Sequence, residues 1–158
     1  SRSRIDTGER RTWNDRRMEL RPFGTLTLTV AGDGLFVLGA TPAGTRIVQE
    51  ISEARLEGAR IKASLKGVAA ADWLAIDAQG VATFDIRMTL ETDDGAVVYL
   101  SYEGRADWSG GMGTTPVYAA MRFEAGDERY RWLNALQPVG KGTVGGGGSL
   151  SYEICELV

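Results

Sequence analysis

Residues 84–105 read FDIRMTLETDDGAVVYLSYEGR, two strictly alternating runs on either side of Asp93-Asp94-Gly95. Alternation of apolar and polar residues marks half-buried strands, and an Asp-Gly turn between two such runs marks a β-hairpin. The register decides what each face carries. A two-residue turn at Asp94-Gly95 sets Tyr102 opposite Arg87 and mixes oily with charged side chains on both faces. A three-residue loop, with Gly95 at positive φ, shifts the pairing by one. Phe84, Ile86, Met88 and Leu90 then share a face with Gly104, Tyr102, Leu100 and Val98. The other face collects Asp85, Arg87, Thr89 and Glu91 with Glu103, Ser101, Tyr99 and Val97. A one-residue slip exchanges every side chain's face, so the clean segregation favours the three-residue loop.

The same period of two runs outward from this hairpin. TLTLTV (25–30) places Leu26, Leu28 and Val30 opposite threonines, and RIKASLKG (60–67) alternates Ile61, Ala63 and Leu65 with charged and polar residues. Further strands are expected over 46–52, 72–77, 81–91, 96–105, 116–124 and 149–157, with Gly, Pro and Asp clusters between them. One short helix fits Gly126–Leu136, capped by Asp127. Many short strands at this spacing with a single helix predict an all-β fold, a closed antiparallel lipocalin-like barrel of roughly eight or more strands. One barrel domain is expected over 18–158. Residues 1–17, with six arginines and little periodicity, read as a disordered arm or leader.

The glycine-rich segments 139–143 (VGKGT) and Gly145–Gly148 read as a flexible hairpin or a lid over the barrel mouth. They do not form a phosphate loop, because Lys141 is followed by Gly142 rather than Ser or Thr. Asp93-Asp94 is explained by the needs of the turn.

A net charge of −3 and a pI near 5.1 lack the basic footprint that nucleic acid or an anionic membrane requires. The 158 residues contain no histidine and one cysteine, Cys155. No Ser-His or Cys-His pair, His-ligated metal or internal disulfide can form. With no apolar run of membrane-spanning length, the expectation is a soluble, cytoplasmic protein without cofactor or metal. Acid–base chemistry would fall to Asp, Glu, Tyr, Lys and Arg-assisted groups.

The polar face of the hairpin (Asp85, Arg87, Tyr99, Ser101, Glu103 and Arg105) is the strongest candidate site. Two orientations stand open. As an outer face it is a solvated surface with weak ion pairs; as a lumen it is an active site. An arginine held by a carboxylate can stabilise an enolate or phenolate, a tyrosine can relay a proton, and a desolvated carboxylate can act as base.

GATPAGTR (39–46), ADW (71–73), DIRMTLETDDGAVVY (85–99), RFEAGDERYRWLN (122–134) and the closing VGKG…SYEI resemble domain-of-unknown-function family 3237 over about residues 18–158. The resemblance implies a calycin-type barrel. It also implies that some fungal relatives are chalcone isomerases, which close a phenol onto an enone without a cofactor. On that basis the expected function is a cofactor-independent isomerase, cyclase or lyase acting on a small aromatic or polyketide-like carbonyl compound. Arg87 and Arg46 would stabilise oxyanion character, Asp85 or Glu103 would be the base, and Tyr99 or Tyr118 would relay the proton. Trp73, Arg105, Ser101, Arg122 and Trp132 would contact the ligand. A different class of answer is a non-catalytic carrier of a hydrophobic molecule, for which the lumen would be apolar, lined by Phe84, Met88, Tyr102 and Met121. A third is a structural or interaction protein without a ligand-sized cavity. A homodimer is compatible with any of them.

Overall fold

The structure, a computed structural model, describes residues 17–158. The expected arm lies outside the described residues except for Arg17. The strands are β1 (Leu20–Thr41), β2 (Gly44–Gly58), β3 (Lys62–Leu65), β4 (Ala71–Ile76), β5 (Val81–Thr92), β6 (Val97–Asp107), β7 (Val117–Ala125), β8 (Pro138–Val144) and β9 (Ser149–Leu157). They pair antiparallel in the order β1-β9-β8-β7-β6-β5-β3-β2-β4, and additional β1–β2 and β5–β4 pairings close the ring. β3 and β4 lie end to end between β2 and β5. The barrel expected from the alternation is therefore the fold. No helix among the described residues is long and apolar enough to cross a membrane.

The β5–β6 hairpin takes the segregating register, with Phe84 opposite Gly104, Ile86 opposite Tyr102 and Leu90 opposite Val98. Thr92 N–H donates to the Ala96 carbonyl at 2.8 Å, closing a loop of Asp93, Asp94 and Gly95, and Gly95 has φ +93°. A β-carbon is strained at that angle, which explains glycine there.

The oily face points inward. Met88, Leu90, Val98 and Leu100 are fully buried, each contributing about 1.5–3 kcal/mol of hydrophobic stabilisation. The ring of Phe23 on β1 stacks on Phe123 of β7 at 5.5 Å, and Tyr102 on β6 meets Tyr152 on β9 edge-on at 5.2 Å. These strands are not neighbours in the sheet, so only the concave side brings the rings together. Of the two orientations open from sequence, the charged face is the outer one, and the barrel interior is filled by aliphatic and aromatic side chains.

Two glycine-rich or mixed segments differ from expectation. Residues 138–144 are not a lid but strand β8, paired with β7 and, in a hairpin turned through Gly145–Gly148, with β9. A β-carbon on Gly142 would lie 2.5 Å from the Tyr152 ring, and one on Gly140 would lie 2.7 Å from Met121 Cε. The glycines make room for large core residues rather than conferring mobility. The expected helix is a 3-10 helix over Glu128–Ala135, with Asp127 accepting the Arg129 N–H at 2.9 Å. Its Tyr130 hydroxyl donates to Asp94 at 2.7 Å, tying the hairpin turn to the helix. Asp94, the acceptor, also takes the Thr92 hydroxyl at 2.6 Å; these bonds hold its carboxyl below the usual carboxylate range. Asp93 pairs with Arg55 at 2.7 Å, so both turn carboxylates serve the fold.

β1 is longer than the sequence pattern suggested. Only Leu20–Thr29 pair with β9, and among the described residues the rest of the strand pairs with β2 alone.

Candidate functional site: a groove on the outer wall

The barrel wall carries an outer groove of about 910 Å³. Its sides come from alternate, outward-facing positions of successive strands: Arg46 on β2, Trp73 on β4, Asp85 on β5, Glu103 and Arg105 on β6, and Tyr118 on β7. Small residues at Gly104, Ala119, Ala120 and Gly140 keep its floor low, while Lys141 and Glu153 extend the charged rim. The volume falls in the usual range for small-molecule sites.

Pairing places these groups in rows. Asp85 lies opposite Glu103, which lies opposite Ala120; Thr83 lies opposite Arg105, which lies opposite Tyr118. Arg46 donates from Nη1 to the Trp73 carbonyl at 2.8 Å, the one hydrogen bond its side chain makes among the described residues. Arg87 does not line the groove. It pairs with Asp85 at 3.2 Å and stacks over the Trp73 ring at 4.6 Å, which fixes two groups that do.

The remaining residues singled out from sequence lie elsewhere. Tyr99 is half-buried on the outer face between Thr89 and Glu124. Ser101 and Arg122 sit opposite each other and line a separate hollow of about 390 Å³ with Leu136 and Gln137. Trp132 lies under Arg60, whose guanidinium is 4.4 Å from its ring. Arg60 and Arg21 both bond the buried Glu156, at 2.6 and 3.1 Å, so Trp132 belongs to a structural cluster.

A second polar group was missed by the sequence reading. Asp72 is 5% exposed on β4, on the inward side with Leu74. It accepts the Asp85 N–H at 3.2 Å. Burial pushes its carboxyl up to about 7, against the stabilising Asp85 N–H bond and the Arg46 charge. Tyr102 and Tyr152 are its neighbours in the core, and neither buried hydroxyl has a hydrogen-bond partner among the described residues. Burial, then the proximity of Tyr152 and Asp72, drives the Tyr102 phenol well above its ordinary value. The available signal was a carboxylate two residues before Leu74, on the apolar parity of its strand. No group of three or more His, Cys, Asp or Glu suited to a metal occurs among the described residues.

The profile of a family described as "Protein of unknown function (DUF3237)" matches residues 18–157. The chain belongs to the DUF3237 family. No curated protein matches it. A β-barrel-like protein from Acinetobacter baumannii is 28% identical at a TM-score of 0.79, covering 93% of this chain and 100% of that one. A conserved protein of unknown function from Rhodopseudomonas palustris is 21% identical at 0.78, covering 90% and 99%. A protein from Penicillium herquei described as an enzyme is 18% identical at 0.67, covering 90% and 94%. The last two show the shared fold alone.

Proposed function

We propose that the outer groove binds a small aromatic or polyketide-like carbonyl compound, and that this DUF3237 protein isomerises, cyclises or cleaves it without a cofactor. The observation that carries this reading is the convergence of Arg46, Trp73, Asp85, Glu103, Arg105 and Tyr118, from five strands, on one ligand-sized groove. Trp73 offers an aromatic face for a planar ligand. Arg105, with Arg46 across the groove, would stabilise negative charge developing on a carbonyl or phenol oxygen. Asp85 or Glu103 would take a proton from the carbon or phenol and Tyr118 would give one up; a proton passing from the carboxyl to the phenolate through solvent in the open groove would then restore both groups. The Penicillium herquei neighbour's description as an enzyme agrees with catalysis on this fold. A carrier holding its cargo in the lumen has less support, since a ligand there would have to displace Tyr102, Tyr152 and Met121.

The test is a panel of hydroxyaryl ketones and enones, followed by Trp fluorescence and by NMR of both ligand and protein. Binding should perturb residues 73, 103–105 and 118, and Arg105→Met should lower turnover by about 10²-fold, as at other oxyanion donors. Perturbations confined to the barrel interior, or turnover unchanged in Arg105→Met and Glu103→Gln, would reject the groove as the site.

A further inference from the structure

The ladder between β4 and β5 is interrupted at one place. Ala71 pairs with Arg87 and Asp72 with Ile86; beyond the break, Ala75 pairs with Thr83 and Ile76 with Ala82. Trp73 and Leu74 do not pair with Asp85 and Phe84, two residues against two. No extra residue sits on either strand, so this is not a bulge, and the register allows the ladder to close. Asp77 N–H donates to the Val81 carbonyl at 3.0 Å, and an antiparallel ladder repeats that exchange at every second pair. Asp85 N–H and the Trp73 carbonyl are therefore partners in the regular pattern. Here side chains take both. The N–H donates to Asp72 Oδ1 at 3.2 Å, and the carbonyl accepts Arg46 Nη1 at 2.8 Å. Asp72 is buried inside the barrel, whereas Arg46 lines the groove outside. The charged and titratable groups that face Asp72 are Arg46 from β2, Asp85 from β5, Tyr102 from β6 and Tyr152 from β9; Gln49, opposite it on β2, is neutral. Arg46 is the one cation among them.

We infer that this opened pair is a two-position device through which protonation of Asp72 inside the barrel controls Arg46 in the groove. With Asp72 ionised, a charge-assisted bond holds the Asp85 N–H, and the same charge draws Arg46 onto the Trp73 carbonyl. A neutral Asp72 is a weaker acceptor and attracts no cation. The Asp85 N–H then returns to Trp73 and the ladder closes without a register change. Arg46, sharing its carbonyl and no longer drawn inward, turns to the groove. The carboxylic acid gains a donor of its own, and the Tyr102 and Tyr152 hydroxyls, buried without a partner among the described residues, are its neighbours. Both arrangements satisfy the Asp85 N–H and the Trp73 carbonyl, which lets one proton choose between them. Burial raises the Asp72 carboxyl to about 7, so the choice falls in the neutral range. By linkage, a ligand oxyanion that takes Arg46 from the Trp73 carbonyl favours uptake of a proton from solvent at Asp72. That consequence rests on the groove binding a ligand, as proposed above; the device itself does not.

NMR of the ligand-free protein tests it, through the scalar coupling that a backbone hydrogen bond carries between donor nitrogen and acceptor carbonyl carbon. At pH 5 the Asp85 nitrogen should couple to the Trp73 carbonyl carbon, and at pH 9 that coupling should be lost. The chain has no histidine to titrate between those values. Asp72→Asn should give the same result at both pH values. Arg46→Met removes the cation that faces Asp72 and should move the change to higher pH. If Asp72→Asn fails to fold, the natural protein and Arg46→Met decide. A coupling equal at pH 5 and pH 9, a change that survives in Asp72→Asn, or a midpoint unmoved by Arg46→Met would overturn the inference. These measurements need no ligand, so their failure is distinct from a failure of the groove to bind hydroxyaryl ketones.

Discussion

The β5–β6 and β1–β2 hairpins are both long antiparallel ribbons, yet they use apolar residues in opposite ways. In β5–β6 the apolar residues alternate and vanish into the core, with Met88, Leu90, Val98 and Leu100 at 0% exposure. In β1 four consecutive apolar residues stay about half exposed or more. Alternation fixes both register and face, because a slip would turn the whole oily set outward. A continuous apolar run carries no such information; it commits the strand to being covered without saying by what.

The sharpest way to break the comparison is to place the same charge in both hairpins. Leu90→Asp buries an unpaired carboxylate and should cost more than about 4 kcal/mol, much of the stability of an ordinary domain. Leu35→Asp, at a half-exposed position, should change folding stability by less than about 0.5 kcal/mol. Thermal unfolding of the two variants measures the difference directly. A Leu90→Asp protein melting near the natural one would show that the oily face is not the core.

Asp72 sharpens the same contrast, since it is a carboxylate already inside, on the strand that joins β2 to β5. Its carboxyl titrates at about 7 in the fold against 3.8 for the free group, so the folded state binds more protons between those values. Stability should therefore be greatest below pH 4 as far as this group is concerned. It should fall as pH rises toward 7, then level off. The total is on the order of 4 kcal/mol. Asp72→Asn retains an acceptor for the Asp85 N–H and removes the titration. Urea denaturation at pH 4, 6 and 8 should find the variant progressively more stable than the natural protein. Parallel profiles would mean that Asp72 is hydrated in the fold.

How much of this was legible in the sequence follows from which residues carry the pattern. The register of residues 84–105 was readable because each side chain reports its own face. Strand β8 was not, because Gly140 and Gly142 have no side chains to alternate. Their reason for being glycine, the bulk of Met121 and Tyr152, lies on other strands. The groove's groups were visible as a polar face, but only closure of the ring shows that this face is the outer wall. Closure is also what groups Arg46, Trp73 and Tyr118 with it. Asp72 was hidden because a carboxylate beside Trp73 gives no sign of facing inward until the closed ring shows its burial.

A small effect is expected at Arg87, and it discriminates between roles on the outer wall. Its guanidinium is about half exposed, its pairing with Asp85 is a surface ion pair, and its stacking on Trp73 is an exposed cation–π contact. Interactions of both kinds are individually weak in water, so Arg87→Met should lower stability by less than about 1 kcal/mol. The loss of the cation above the indole should nevertheless alter Trp73 fluorescence. Because Arg87 lies beside the groove rather than in it, ligand affinity should fall far less than in Arg105→Met. If instead Arg87→Met abolishes binding while Arg105→Met is silent, the ligand sits over the Trp73–Arg87 stack, and the groove's long wall of β6 and β7 is not where recognition occurs.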